Sequence, residues 1–236
     1  MAFGIKTFNA AGKVIIDSSD AGRVGYHLKE SGTVTTGNST DDGSTYSFGA
    51  LSLQTINANN DIIVFVRPTD TSTSVKVYGM PVNNGAGFLL YSMPGNREFE
   101  YLAFELATDL TPSNTGFGLE VYNDNNKVIF SSEHLCTRTR ALIAGPGSTY
   151  TESDSNLFAS LFQAPNYTRS EKVSNVLFRV TTEGNMIEFF SGTSIGIIND
   201  TMRSNLQAGG GITYNYYSNV AAASKRIIID ATGITI

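Results

Sequence analysis

Tryptophan is absent from this 236-residue chain, cysteine occurs once and histidine twice. A lone Cys136 cannot pair within the chain, which excludes a disulfide scaffold. One Cys and two His fall short of the four ligands of a structural zinc site. We read Cys136 as a small buried hydrophobe in a reducing compartment. Charge is also scarce, at 16 % of residues against roughly 25 % in ordinary soluble domains. The 16 Lys and Arg are scattered, the tightest groups being the pairs Arg138 with Arg140, Arg169 with Lys172 and Lys225 with Arg226, and the net charge is −5. A phosphate backbone needs clustered cations, so nucleic acid is not an expected partner. Apolar runs such as Ile62–Val66 are far shorter than the ~20 residues of a membrane-spanning helix. Met1–Thr7 has neither a basic region nor an apolar stretch of signal-peptide type, so we expect synthesis in the cytoplasm without such a signal. No heptad repeats that would make a coiled coil.

Motifs for catalysis are as thin. His134 lies two residues from Cys136, and on a strand such neighbours share a face without the hydrogen-bond geometry of a nucleophile and its base. No Gly-x-Ser-x-Gly elbow occurs. The acids Asp41, Asp42, Glu98, Glu100 and Glu120 fall in turns or alternate along strands, not in the paired arrangement of a glycosidase. Asn57–Asp61 and Asn123–Asn126 offer oxygen ligands but not the spacing of a calcium loop, and Asx turns account for them. Gly209–Gly211 lacks the following Lys-Ser/Thr of a phosphate cradle. We therefore expect no enzyme, no cofactor and no metal site.

What is abundant is small and polar: Gly, Asn, Ser and Thr make 92 residues, about 39 %. The hydrophobic share is 41 %, with 14 Phe and 11 Tyr, ample for a core, so the chain is not disordered. Its periodicity is mostly two. Gly4–Phe8 and Val14–Ile16 read as a hairpin around Asn9–Gly12. Ile62–Val66 reads as a buried strand stopped by Pro68, and Val75–Tyr78 and Gly87–Tyr91 as further strands. Phe158, Leu161 and Phe162 sit at i, i+3 and i+4 behind the capping cluster Ser153–Asn156, which predicts two turns of helix. Tyr101–Leu106 fits either strand or helix.

An internal repeat organises these pieces. Gly4–Asn9 with Gly12–Ser18 lies over Gly118–Asn123 with Asn126–Ser132 at an offset of 114 residues. The same offset lays Ile63–Val66 on Leu177–Val180. Val75–Tyr78 and Met186–Phe190 follow as second strands, and Arg97–Tyr101 and Arg226–Asp230 close each half. The expected fold is all-β, with two tandem β-sandwich-like modules, 1–112 and 113–236, and at most short helices. The linker-like Thr111–Gly116 marks the boundary. The second module carries the longer insertion.

Tyr150, Tyr167, Tyr214, Tyr216 and Tyr217 lie in or near polar loops. Tyrosine offers large contact area at low entropic cost, which makes these five the candidate interaction residues; the alternative is strand packing inside a sandwich. The C-terminal stretch from Arg226 is apolar to Ile234 and Ile236, and suits burial within the fold or against a partner.

The hairpin itself resembles a known motif. Phe3–Ser18, and Phe117–Asn123 with Lys127–Ser132, are similar to the Gly-Leu-x-Val-Phe-Asn-x-x-Gly-x-Val-x-Phe-Asp-Ser hairpin of small virion proteins of tailed bacteriophages. The resemblance covers about fifteen residues, twice. Asn126 replaces the turn glycine in the second copy, and Ser131 the aspartate. The resemblance implies a structural component of the tail tip, minor tail or tail fibre, with other copies of itself and other tail proteins as partners. The alternative function is a carbohydrate- or receptor-binding module that attaches to a host-surface glycan or receptor.

Overall fold

The computed structural model describes residues 6–8, 14–17, 26–37, 46–54, 62–82, 87–106, 110, 119–122, 125–131, 139–152, 156–161, 166–172, 177–190, 194–208, 225–232 and 234. These form an all-β protein. One antiparallel sheet of six strands runs in the order β11 (Thr139–Ala144), β17 (Lys225–Asp230), β13 (Leu157–Ser160), β5 (Ile62–Pro68), β8 (Glu98–Leu106) and β3 (Tyr26–Thr35). The second sheet, of seven, runs β12 (Thr149–Thr151), β16 (Ser194–Ala208), β15 (Leu177–Phe190), β6 (Val75–Val82), β7 (Gly87–Met93) and β4 (Ser47–Ser52), with β14 (Asn166–Lys172) also paired to β15. Two small hairpins complete the set: β1 (Lys6–Phe8) with β2 (Val14–Asp17), and β9 (Glu120–Tyr122) with β10 (Val128–Ser131).

Both sheets read the same from either end. In the first half β3, β8 and β5 are neighbours; in the second β11, β17 and β13 take the same places. Likewise β4, β7 and β6 match β12, β16 and β15, while β14 is an extra strand. The halves meet where β5 pairs with β13 and β6 with β15, both antiparallel. Equivalent strands paired antiparallel are what a two-fold axis between halves requires. Each half supplies three of these strands to each sheet, so residues 112 and 113 divide two strand sets that share both sheets.

The repeated hairpin forms twice. Lys6, Phe8, Val14 and Asp17 bound the first pair of strands, and Glu120, Tyr122, Val128 and Ser131 bound the second at the same offset. Asn126, standing where the first copy has Gly12, takes φ 62°, a left-handed conformation that Asn tolerates among non-glycine residues. The other half of the alignment needs correcting. Ile63–Val66 on Leu177–Val180 would equate β5 with β15, whereas sheet position equates β5 with β13.

The predicted helix is also a strand. Leu157–Ser160 is β13, bonded to β17 on one side and β5 on the other. All four residues are buried, and Leu157 and Ala159 enter the main core while Phe158 enters a different cluster. Alternation between two apolar environments is the period of a strand buried on both faces, which the i, i+3, i+4 coincidence had mimicked. Ser153–Ser155 and Phe162 lie outside the described residues. Tyr101–Leu106 resolves as part of β8.

The main core takes Val64, Val66, Phe99 and Ile228 from the six-stranded sheet and Val75, Val77, Leu90, Ile187 and Ile197 from the other. One cluster fed by both sheets makes this a sandwich. The chain crosses between layers at equivalent corners. In the first, Thr36 N–H donates to Arg97 O at 2.9 Å and Gly37 N–H to Phe48 O at 2.9 Å; in the second, Gly147 N–H donates to Ile197 O at 2.7 Å. At the first corner the backbones approach so closely that a Cβ on Gly49 would sit 2.3 Å from Thr35 O. Backbone cannot yield as a side chain can. We expect Gly49→Ala to cost about 2 kcal/mol, read as a lower urea midpoint with an unchanged slope.

Candidate functional site

Each sheet also carries an apolar cluster on its outward face. On the six-stranded sheet this is Phe65, Leu102, Phe104, Phe158 and Ile229, with Ile234 of the C-terminal stretch packed against it. Phe65 and Phe104 meet edge to face at 5.6 Å. Arg67, whose Cα partner across the ladder is Glu100, places its guanidinium 4.9 Å over the Phe158 ring. It also binds the Glu100 carboxylate and donates to Asn156 Oδ1 at 2.7 Å.

On the seven-stranded sheet the outward cluster is aromatic. Tyr46, Tyr78, Tyr91 and Met186 are buried, with Phe48, Leu89, Met93 and Ile198 half-buried around them. Tyr78 and Tyr91 are Cα partners across β6 and β7 and stack at 4.7 Å with 2° between planes. Tyr46 meets Tyr78 edge-on at 5.3 Å, and Phe48 lies 6.0 Å from Tyr91. These are the offset and T-shaped geometries that ring quadrupoles favour. The Tyr46 hydroxyl donates to Met186 Sδ at 2.6 Å and to Asp200 Oδ2 at 3.3 Å, and Asp200 also binds Lys76 Nζ. Burial first, and then the Asp200 carboxylate, hold the Tyr46 phenol far above its ordinary range. This tyrosine stays neutral and acts as a fixed donor.

Of the five tyrosines singled out from the sequence, Tyr150 lies on β12, partly buried against the main core. Its hydroxyl donates to Glu152 Oε2 at 2.8 Å, which raises its pKa. Tyr167 lies on β14, opposite Glu183 of β15. Tyr214, Tyr216 and Tyr217 lie outside the described residues, as do Cys136, His134, Asp41 and Asp42. No joint surface of the five is seen among the described residues. The sequence reading missed Tyr46, Tyr78 and Tyr91. Their signal was present, since Tyr78 alternates with Val75 and Val77 in a strand that thereby has two apolar faces.

Beside Tyr150 is a charged network at the end of β17. Asp230 accepts from Thr232 N–H at 2.8 Å, an Asx turn, and from Arg140 Nη2 at 2.5 Å. Arg140 also approaches Glu152 at 4.0 Å. The Thr232 hydrogen bonds, with Arg140 adding to them, hold the Asp230 carboxyl at about 2.

Arg226 is the odd residue of the core. It is 1 % exposed, its Nη1 donates to Lys225 O at 3.1 Å and its Nη2 to Asn185 O at 3.4 Å, and its Nε has no partner. Burial alone lowers its pKa to about 10.

Among the described residues no three His, Cys, Asp or Glu converge on a metal-sized site. Glu100 is held by Arg67 and Glu120 accepts from the Tyr122 hydroxyl. A cleft lined by Arg67, Thr71, Leu157, Phe189 and Ser194 has room for only about one water molecule. Among the described residues no helix is long and apolar enough to cross a membrane. No family model, curated protein or solved structure matches the chain.

Two outcomes follow for the charged groups. Replacing a buried, uncompensated cation by an apolar side chain of similar length removes a desolvation penalty, so Arg226→Met should raise stability by about 1–3 kcal/mol, seen as a higher melting temperature. For Asp230, a folded pKa of about 2 lies below the unfolded value of ~3.9. Its stabilisation is thus complete above pH ~4 and vanishes as pH falls towards 2. Asp230→Asn should cost about 1–2 kcal/mol at neutral pH and flatten the fall in melting temperature between pH 4 and 2.

Proposed function

We propose that this chain is a structural, non-enzymatic component of a bacteriophage tail. It is made in the cytoplasm and acts by assembling with copies of itself and with other tail proteins. The observation that carries the reading is the hairpin with the virion-protein resemblance, which forms twice, each time ahead of an equivalent strand set. A duplicated β scaffold with little charge suits a part whose work is contact, since interface centres are depleted of charge. Leu142 on the outermost strand β11 is 60 % exposed, and an apolar residue on an open edge invites a neighbouring chain.

The alternative, attachment to a host glycan or receptor, has less support. Tyr78 and Tyr91 are buried within their own stack, and the Tyr150 hydroxyl is taken by Glu152. Glycan-array binding by the full chain, lost on Tyr150→Ala, would favour it over assembly.

Light scattering after size exclusion should show a reversible oligomer growing with concentration and rotationally symmetric by electron microscopy. Leu142→Asp should shift its midpoint at least tenfold to higher concentration while leaving the melting curve intact. A monomer at every concentration, with no peptide of the chain in purified tails, refutes the proposal.

A further inference from the structure

Arg226 is the second residue of β17 and faces Ile143, the penultimate residue of the outermost strand β11. Phe99 stands in the same place in the first half. It is the second residue of β8 and faces Val34, the penultimate residue of β3. Val34, Phe99 and Ile143 all belong to the main core, and Phe99 is fully buried there. The fold thus accepts an apolar ring at this position and does not require a cation.

The second half nevertheless carries a guanidinium there, at 1 % exposure. Its Nη groups reach carbonyl oxygens, Lys225 O at 3.1 Å and Asn185 O at 3.4 Å, and its Nε has no partner. Carbonyl dipoles solvate a cation but leave its charge in place. Burial is the single cause that moves the titration of Arg226, so no carboxylate among the described residues offsets it. A buried charge is ordinarily balanced by an opposite one. Water at Nε would complete the hydrogen bonding and still leave the charge, whereas an anion does both. We propose that Arg226 is the binding site of one small monovalent anion, of chloride or bromide size, held at Nε–H between the sheets. One negative charge balances one guanidinium. Small size follows from the walls: Ile143 across the ladder and Ile228 two residues along the strand are core residues, 7 % and 0 % exposed. Asn185, itself buried, is the polar residue opposite on β15. The way in is short, because Lys225, next along the chain, is exposed. An anion that binds the folded chain and not the unfolded one stabilises it by mass action. This inference does not rest on the tail assignment.

The full chain is unfolded at fixed ionic strength while chloride replaces gluconate, a far larger anion. From chloride-free to chloride-rich buffer the wild-type unfolding constant should fall at least about tenfold. It should fall less than about twofold in Arg226→Met and in Arg226→Phe, which carries the side chain of the first-half position. The advantage expected for Arg226→Met is then largest without chloride and shrinks as chloride rises. In parallel, the wild-type chain should broaden the chlorine magnetic resonance of free chloride saturably, and bromide should reverse the broadening. Equal chloride dependence in wild type and variants is general salt action and overturns the site. So does broadening that persists in either folded variant. A wild-type chain that leaves the chloride resonance sharp overturns the proposal whether or not the variants fold.

Discussion

Val66 against Ala159, Val77 against Ile187 and Val75 against Phe189 are the places where the two halves touch both through backbone and through the shared core. Much else depends on these contacts. Three strands per sheet make a narrow ribbon whose inner face stays wet at its margins. Doubling the width at the seam lets Val64, Leu157 and Ile187 fall to 3 % exposure or less. The seam also removes two would-be edges from each half, leaving β3, β11, β4 and β12 as the outermost strands. Few seam hydrogen bonds are needed because the stabilising term there is burial of apolar surface, about 25 cal/mol per Å².

The price of such a wide sandwich is a pair of outward faces that cannot all be polar. Phe65 and Phe158 occupy one and the tyrosine stack the other. They are the reason strands β5 and β13 read as near-continuous apolar runs rather than clean alternations. Polar groups on these faces are held by partners: Arg67 by Glu100 and Asn156, Lys76 by Asp200. Arg226 is different: it lies in the core between the sheets, bonded to Asn185 O of the opposite sheet and with an unpaired Nε.

Alternation and turn residues made the strand content and the hairpins legible, and the two hairpins stand at the 114-residue offset. The second half of that alignment failed because short apolar strands resemble one another, so Ile63–Val66 matched β15 by composition while topology equates it with β13. The helix expected over Leu157–Phe162, a strand at Leu157–Ser160, has the same root. A strand buried on both faces loses its polar alternation, and a chance spacing then imitates a helical face. Tyr150 was legible as a tyrosine near a loop, but its bond to Glu152 depends on where β12 lies. The stack of Tyr78 on Tyr91 depends on a register that only the folded hairpin sets.

The tyrosine stack has an optical consequence. With no tryptophan in the chain, tyrosines are the principal near-ultraviolet chromophores. Tyr78 and Tyr91 at 4.7 Å, and Tyr46 at 5.3 Å from Tyr78, are close enough for their electronic transitions to couple. Held at fixed angles in a chiral frame, they give the folded sandwich an exciton-type circular dichroism band that isolated tyrosines lack. Since the three rings sit on or beside β4, β6 and β7 and pack against Met186 and Ile198 of the second half, that band reports the joining of the two halves in the seven-stranded sheet.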